Sequence, residues 1–272
     1  MTGTILITGT SSGLGRATAR LFQAKGWNVI ATMRDPASET ELTQLANVLV
    51  TRLDVQDVAS IAVAVNAGLA RFGRIDALIN NAGYGAFGPL EATPLENMRR
   101  QYDVNVLGLM ATTKALLPHF RANRSGAIVN ISSMGGRIAF PSGTLYHGTK
   151  FAVEGLSEAL QYELAPLGIR VKIVEPGMIA TDFTSRSVEY NNEPELAEYQ
   201  PLIQSMGLLV SSLYEHASSP EVIAEVVYEA TTDESDRLRY AAGADAEHLL
   251  AARYASSDAE FFAALKAQVG MV

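Results

Sequence analysis

Short β-branched and apolar runs alternate with longer stretches of helical period from near the start of the chain. Residues 4–8 form an apolar run closed by Gly9, the mark of a buried strand. Residues 13–25 carry Leu14, Ala17, Leu21 and Phe22 on one helical face, and Gly26 stops the run. The same reading predicts strands at 28–32, 48–51, 75–80, 127–131 and 171–174, with a seventh at 239–242. It predicts helices at 58–72, 94–119 and 145–164, with a break or kink at Pro118.

Strands alternating with helices of this length form βαβ units, and hence a mainly parallel sheet covered on both faces. Right-handed crossovers make the expected fold α/β: a Rossmann-like, doubly wound parallel sheet. No Pro/Gly/Ser-rich linker, internal repeat or low-complexity tract divides the chain, so 1–272 reads as a single domain. Residues 178–217 break the rhythm, mixing Asn191, Asn192, Pro194 and Pro201 with Phe183, Tyr190, Met206, Leu208 and Leu209. Such an insert is expected to be a loop-like or short-helical lid on the substrate side, mobile until substrate binds.

Composition removes several function classes. A chain of 272 residues with 48% hydrophobic and 18% charged residues packs a core, and its formal net charge of −8 argues against nucleic acid as the partner. There is no cysteine, which excludes disulfides, thiolate metal sites and cysteine nucleophiles. No run approaches the roughly 18 apolar residues of a membrane span. Met1-Thr2-Gly3-Thr4 has neither the basic nor the apolar region of a secretory leader, so a soluble, cytoplasmic protein is expected. His119, His147, His216 and His248 show no ligand spacing, so no metal is expected. His147, next to Tyr146, is expected at an exposed helix position, with a substrate contact as the second reading, and Glu158 and Glu163 are expected solvated or paired. Phe261, Phe262 and Leu265 are expected in core packing, with a subunit contact as the second reading.

The first strand runs straight into Thr8-Gly9-Thr10-Ser11-Ser12-Gly13-Leu14-Gly15 and then a helix. A helix N-terminus offers unpaired N–H groups and the positive end of the helix dipole, which suits a phosphate. Glycines let the backbone turn sharply and let a pyrophosphate approach closely. A plain glycine-rich βα turn is the alternative, which strand, glycines and helix in this order make the poorer one. Tyr146 and Lys150 are four apart, on one face of a helix. A phenol has a pKa of about 10, and bringing it to about 7 takes roughly 4 kcal/mol of differential interaction, for which the lysine cation is the candidate source. Ser133 lies at the end of a predicted strand, where open α/β sheets bind ligands. Taken singly, Tyr146 and Lys150 are more often a packing tyrosine and a solvated lysine, Ser133 a turn serine, and Asn105 a cap or bridge for a buried backbone group. Their joint placement favours chemistry.

The turn has the form T-G-x-x-x-G-x-G and resembles that of the short-chain dehydrogenase/reductase family in its ordinary single-domain form. Asn80-Asn81-Ala82-Gly83, Asn105, Ser133, Tyr146-His147-Gly148-Thr149-Lys150 and Pro176-Gly177 with Thr181 match further family motifs in order, over 4–181. The layout is similar to the branch with retinol and 17β-hydroxysteroid dehydrogenases. The resemblance implies catalytic roles for Asn105, Ser133, Tyr146 and Lys150. Tyr146 is then the general acid/base, Lys150 also binds the nicotinamide ribose, and Asn105 holds a relay water. It implies cofactor contacts from Gly9, Ser11, Ser12, Gly13, Leu14 and Gly15 in the turn, and from Arg34, Asp54 and Val55 at the adenosine end. Asn81, Ala82, Gly83, Asn105, Tyr146, Lys150, Pro176, Gly177, Ile179 and Thr181 complete that set.

In this family an acidic residue that disfavours a 2′-phosphate usually stands seven positions after the glycine closing the first helix. Counting from Gly26 reaches Met33, with Arg34 next. A guanidinium suits a phosphate, so NADP(H) is expected over NAD(H), although Asp35 follows and offers a ribose acceptor if the strand runs longer. The expected activity is hydride transfer between a carbonyl and a secondary alcohol of a lipophilic small molecule; the alternative is a non-catalytic NAD(P)-binding sensor. A homodimer or homotetramer is expected, paired through helices near 95–120 and 145–165.

Overall fold

The structure, a computed structural model, describes residues 3–181 and 187–270. Residues 182–186 of the expected lid, Phe183 among them, lie outside the described residues, as do 1–2 and 271–272.

Period-two side-chain alternation decides the layering. Ile5, Ile7, Val29, Ala31, Ala77, Ile79, Ala127 and Val129 are buried on one face of the sheet, while Leu6, Ile30, Leu78 and Ile128 are buried on the other. A sheet apolar on both faces must be covered on both. The strands are β1 (Thr4–Thr8), β2 (Asn28–Met33), β3 (Val48–Arg52), β4 (Ala77–Asn80), β6 (Gly126–Ile131), β7 (Ile169–Pro176) and β9 (Arg239–Ala242). They form one parallel sheet in the order β3-β2-β1-β4-β6-β7-β9. The order reverses between β1 and β4, and the crevice at their carboxyl ends is the topological switch point.

On one face, α1 (Gly13–Ala24) packs beside α7 (Pro220–Thr232), with Phe22 and Trp27 edge to face at 5.2 Å. On the other lie α2 (Val58–Phe72), α4 (Leu109–Asn123) and α5 (Thr144–Leu164). Between α3 (Leu95–Tyr102) and α4 the helix widens into a π turn, Asp103–Gly108. Of the break or kink expected at Pro118, the break does not occur: α4 runs through to Asn123, held by the fully buried Leu116 and Phe120 on either side of the proline.

The insert is more ordered than a loop. Short β8 (Val188–Tyr190) pairs in parallel with β5 (Gly85–Phe87), and α6 (Gln200–Tyr214) spans 15 residues. The C-terminal helices α8 (Ala244–Ala255) and α9 (Asp258–Gln268) pack Ala246, Leu250 and Phe261 against Met134 and Ile138. Phe261 and Leu265 are buried as expected, whereas Phe262 is 46% exposed, which corrects its assignment to the core.

Candidate active site

At the end of β1 the chain turns through Gly9 at φ +73° and enters α1 at Gly13, φ +52°. Both angles lie in the left-handed region that favours glycine. Gly15 is required for a different reason: a side chain there would run into the Gly9 carbonyl. Ser12 stands at the N-cap with no side-chain cap, so the first N–H groups of α1 are not used by it. The turn is laced to β4: Asn81 Nδ2 donates to the carbonyls of Thr8 (2.8 Å) and Gly9 (3.0 Å). Thr8 Oγ1 accepts from the N–H groups of Asn81 and Ala82, both at 3.0 Å. This backbone cradle, which side chains at its glycines would fill, fits a dinucleotide pyrophosphate.

A cavity of about 1070 Å³ runs from this turn, over the ends of β4, β6 and β7, to the inner side of α6. Every residue assigned from the sequence to cofactor contact or catalysis lines it, with one exception. That exception is Asn105, which sits behind the wall in the π turn. Its Oδ1 accepts from Tyr84 N–H (3.1 Å), and its Nδ2 donates to Tyr84 O (2.8 Å) and Thr149 Oγ1 (3.1 Å). Thus the Asn105 side chain braces the wall of the site.

At the adenosine end β2 stops at Met33, and Arg34 is exposed on the cavity wall with no ion pair to any described residue. Asp35 does not line the cavity; its Oδ1 accepts from Ala37 N–H (3.1 Å) and caps the following 3₁₀ turn. Asp54 lies beyond β3, where its Oδ1 accepts from Gln56 N–H (3.1 Å).

The groups assigned to catalysis from the sequence, Asn105 apart, meet at the other end. Ser133 follows β6, and its Oγ accepts from Gly135 N–H at 3.0 Å. Lys150 is buried, with Nζ donating to Ile131 O (2.9 Å) and lying 5.7 Å from the Tyr146 ring centre. Burial pulls the Lys150 ammonium down to about 8, partly offset by the carboxylate of Glu154. Burial pushes the Tyr146 phenol up, and a hydrogen bond with Ser133 offsets part of that rise. Of these two effects on the phenol, burial is the larger.

Two features escaped the sequence reading. His147 is not exposed but 6% accessible, with Nδ1 on Gly135 O at 2.9 Å; the flanking loop, not the helix period, buries it. Behind Lys150 lies a charge cluster with two buried carboxylates: half-buried Arg239 has Nε 2.9 Å from Glu154 and 3.5 Å from Glu175, and its guanidinium also pairs with exposed Glu158. Burial and the neighbouring Glu154 push the Glu175 carboxyl up to about 7, against the pull of Arg239 and Arg137. The spacing of Tyr146, Lys150 and Glu154, each four apart, was the readable signal for that cluster. Among the described residues no group of acidic, histidine or cysteine side chains could hold a metal, and no helix is long and apolar enough to cross a membrane.

A sheet whose switch point opens onto such a turn marks a dinucleotide-binding protein, and the side chains gathered beside it are those of an oxidoreductase. More narrowly, the chain belongs to the short-chain dehydrogenases: the family model described as short chain dehydrogenase matches residues 3–192. The chain is 44% identical over 239 residues to an uncharacterized oxidoreductase of Schizosaccharomyces pombe, a match covering 88% of this chain and 100% of that one. It is 33% identical over 251 residues to 17-beta-hydroxysteroid dehydrogenase type 1 of Homo sapiens, covering 87% of this chain and 76% of that one. Among solved structures it is similar to a short-chain dehydrogenase from Streptomyces avermitilis, with 36% identity and a TM-score of 0.83, covering 100% of this chain and 98% of that chain. Members of the family bind NAD(P).

Proposed function

We propose that this protein interconverts a carbonyl and a secondary alcohol of a lipophilic small molecule, with NADP(H) preferred over NAD(H). The observation that carries this reading is the convergence of Ser133, Tyr146 and Lys150 on one end of a cavity whose other end is the glycine turn. The nicotinamide cofactor supplies the hydride when bound. The protein's own groups do the rest. Ser133 holds the substrate oxygen by a hydrogen bond. Tyr146 gives it a proton in reduction and takes one in oxidation. Lys150 supplies the nearby positive charge that favours the phenolate and offers a donor to the ribose. Asn105 acts from behind the wall by fixing Tyr84 and Thr149, beside the place where the resemblance puts a relay water.

The substrate end supports an apolar ligand. The lining side of α6 presents Ile203, Met206, Leu209, Val210 and Leu213, and residues 200–214 contain no charge. Arg100 at this end is within 3.5 Å of Glu189, so its cation is already matched. Among the described residues there, none calls for a phosphate or carboxylate on the substrate. A preference for NADP(H) is supported by Arg34 at the end of β2 and by the engagement of Asp35 elsewhere. Exposed Leu107, Met110 and Phe151 on the π turn, α4 and α5 support pairing of subunits into a dimer or tetramer.

The test is nicotinamide absorbance against a panel of lipophilic ketones and secondary alcohols, with Y146F as control. Turnover by the native protein that falls at least about 100-fold in Y146F, with cofactor affinity within about twofold, is expected. Tight cofactor binding without turnover on any member of the panel would favour the sensor and overturn the proposal.

A further inference from the structure

The loop between Ser133 and Tyr146 takes its shape around one imidazole. His147 is ringed by Phe87, Phe140 and Tyr146, with ring centres at 6.5, 5.7 and 5.6 Å. Its Nδ1 stands 2.9 Å from the carbonyl oxygen of Gly135. A carbonyl can only accept, so Nδ1 carries the proton, and a neutral ring leaves Nε2 a bare lone pair. That Nε2 is buried with no partner among the described residues, which suits the neutral ring and penalises the cation. The socket admits no larger neighbour: a side chain at Gly135 or Gly143 would run into the imidazole.

The same Gly135 donates its N–H to Ser133 Oγ at 3.0 Å. A hydroxyl has one proton and two lone pairs, and filling one lone pair restricts where the proton points. Pro176 O competes for that proton at 3.4 Å, and a hydroxyl turned that way is lost to the substrate. We propose that His147 is a positioning residue for Ser133: by holding Gly135 it keeps that N–H on Oγ and leaves the hydroxyl proton for the substrate oxygen beside Tyr146. The inference rests on the reading of Ser133 and Tyr146 as the reacting pair.

Three variants separate donor from bulk. In H147N the amide nitrogen stands near the place of Nδ1; in H147Q it stands near that of Nε2; H147F keeps the ring and removes the donor. H147F and H147Q are expected to lower kcat about tenfold or more, with KM for NADPH within about twofold, as a misplaced reacting group would. H147N is expected to stay within about threefold of wild type, because it still donates to Gly135. In the S133A background, where no hydroxyl remains to be positioned, H147F should lower kcat by less than about twofold further. Equal kcat for H147N and H147Q, or a full tenfold drop from H147F on top of S133A, overturns the proposal. Should H147F fail to fold by thermal melting, the Asn–Gln comparison decides alone. Wild-type turnover in S133A or Y146F would instead overturn the catalytic reading itself.

Discussion

Replacing Arg34 with alanine tests the cofactor preference with little disturbance of the fold. The side chain is exposed, it forms no ion pair with any described residue, and it follows the last residue of β2 on the cavity wall. A hydrogen bond to a charged group contributes about 1.5–3 kcal/mol. Solvent screening at an exposed guanidinium places the expected value at the low end, about 1.5–2 kcal/mol. That corresponds to about a 10–30-fold loss of kcat/KM for NADPH, with NADH held within about threefold. The NADPH advantage of the native protein should also shrink as salt rises, since the Debye length falls from about 10 Å at 0.1 M to about 3 Å at 1 M. The assay is kcat/KM for each cofactor at one saturating ketone concentration. D35A serves as control: Asp35 is engaged with Ala37 N–H, so its loss should cost NADH no more than about twofold. Met33 is 3% exposed, so M33D adds a fold cost; it belongs on top of R34A, where the new carboxylate should reverse the preference. A native preference for NADH, an unchanged ratio in R34A, or a large NADH loss in D35A would each refute the reasoning.

Two further outcomes follow from groups outside the reacting set. Burial and the neighbouring Glu154 push the Glu175 carboxyl up from its ordinary 4.5 to about 7, so its stability contribution is complete below pH 4.5 and is lost as pH rises toward 7. Relative to the native protein, E175Q should therefore gain up to about 3 kcal/mol between those limits and no more above them, read by urea unfolding at several pH values; a difference independent of pH sinks the assignment. Phe151 is 47% exposed on α5, and light scattering at micromolar concentration should show a dimer or tetramer that F151E converts to monomer. A monomeric native protein would show that this surface pairs with nothing.

What the sequence discloses and what it conceals have a common physical cause. The glycine turn, the Tyr146–Lys150 pair and the parallel sheet are written in short-range spacing, and short-range spacing survives folding because φ/ψ and helix pitch are local. Burial is not local. His147 has the same period as its exposed neighbours on α5, and only the Gly135–Gly143 loop and Phe87, distant in sequence, remove it from water. The surroundings of the Tyr146 phenol are hidden for the same reason: spacing shows which charges meet but not how much water they lose, and burial pushes the phenol up. Pro118 passes because the buried Leu116 and Phe120 anchor α4 to the sheet more strongly than proline disfavours the helix. The insert misleads in the opposite direction. Its 15-residue helix α6 has no buried residue, because its apolar side faces a cavity rather than a core. A helix whose apolar side lines a cavity suits an apolar ligand, and this supports the lipophilic substrate proposed above.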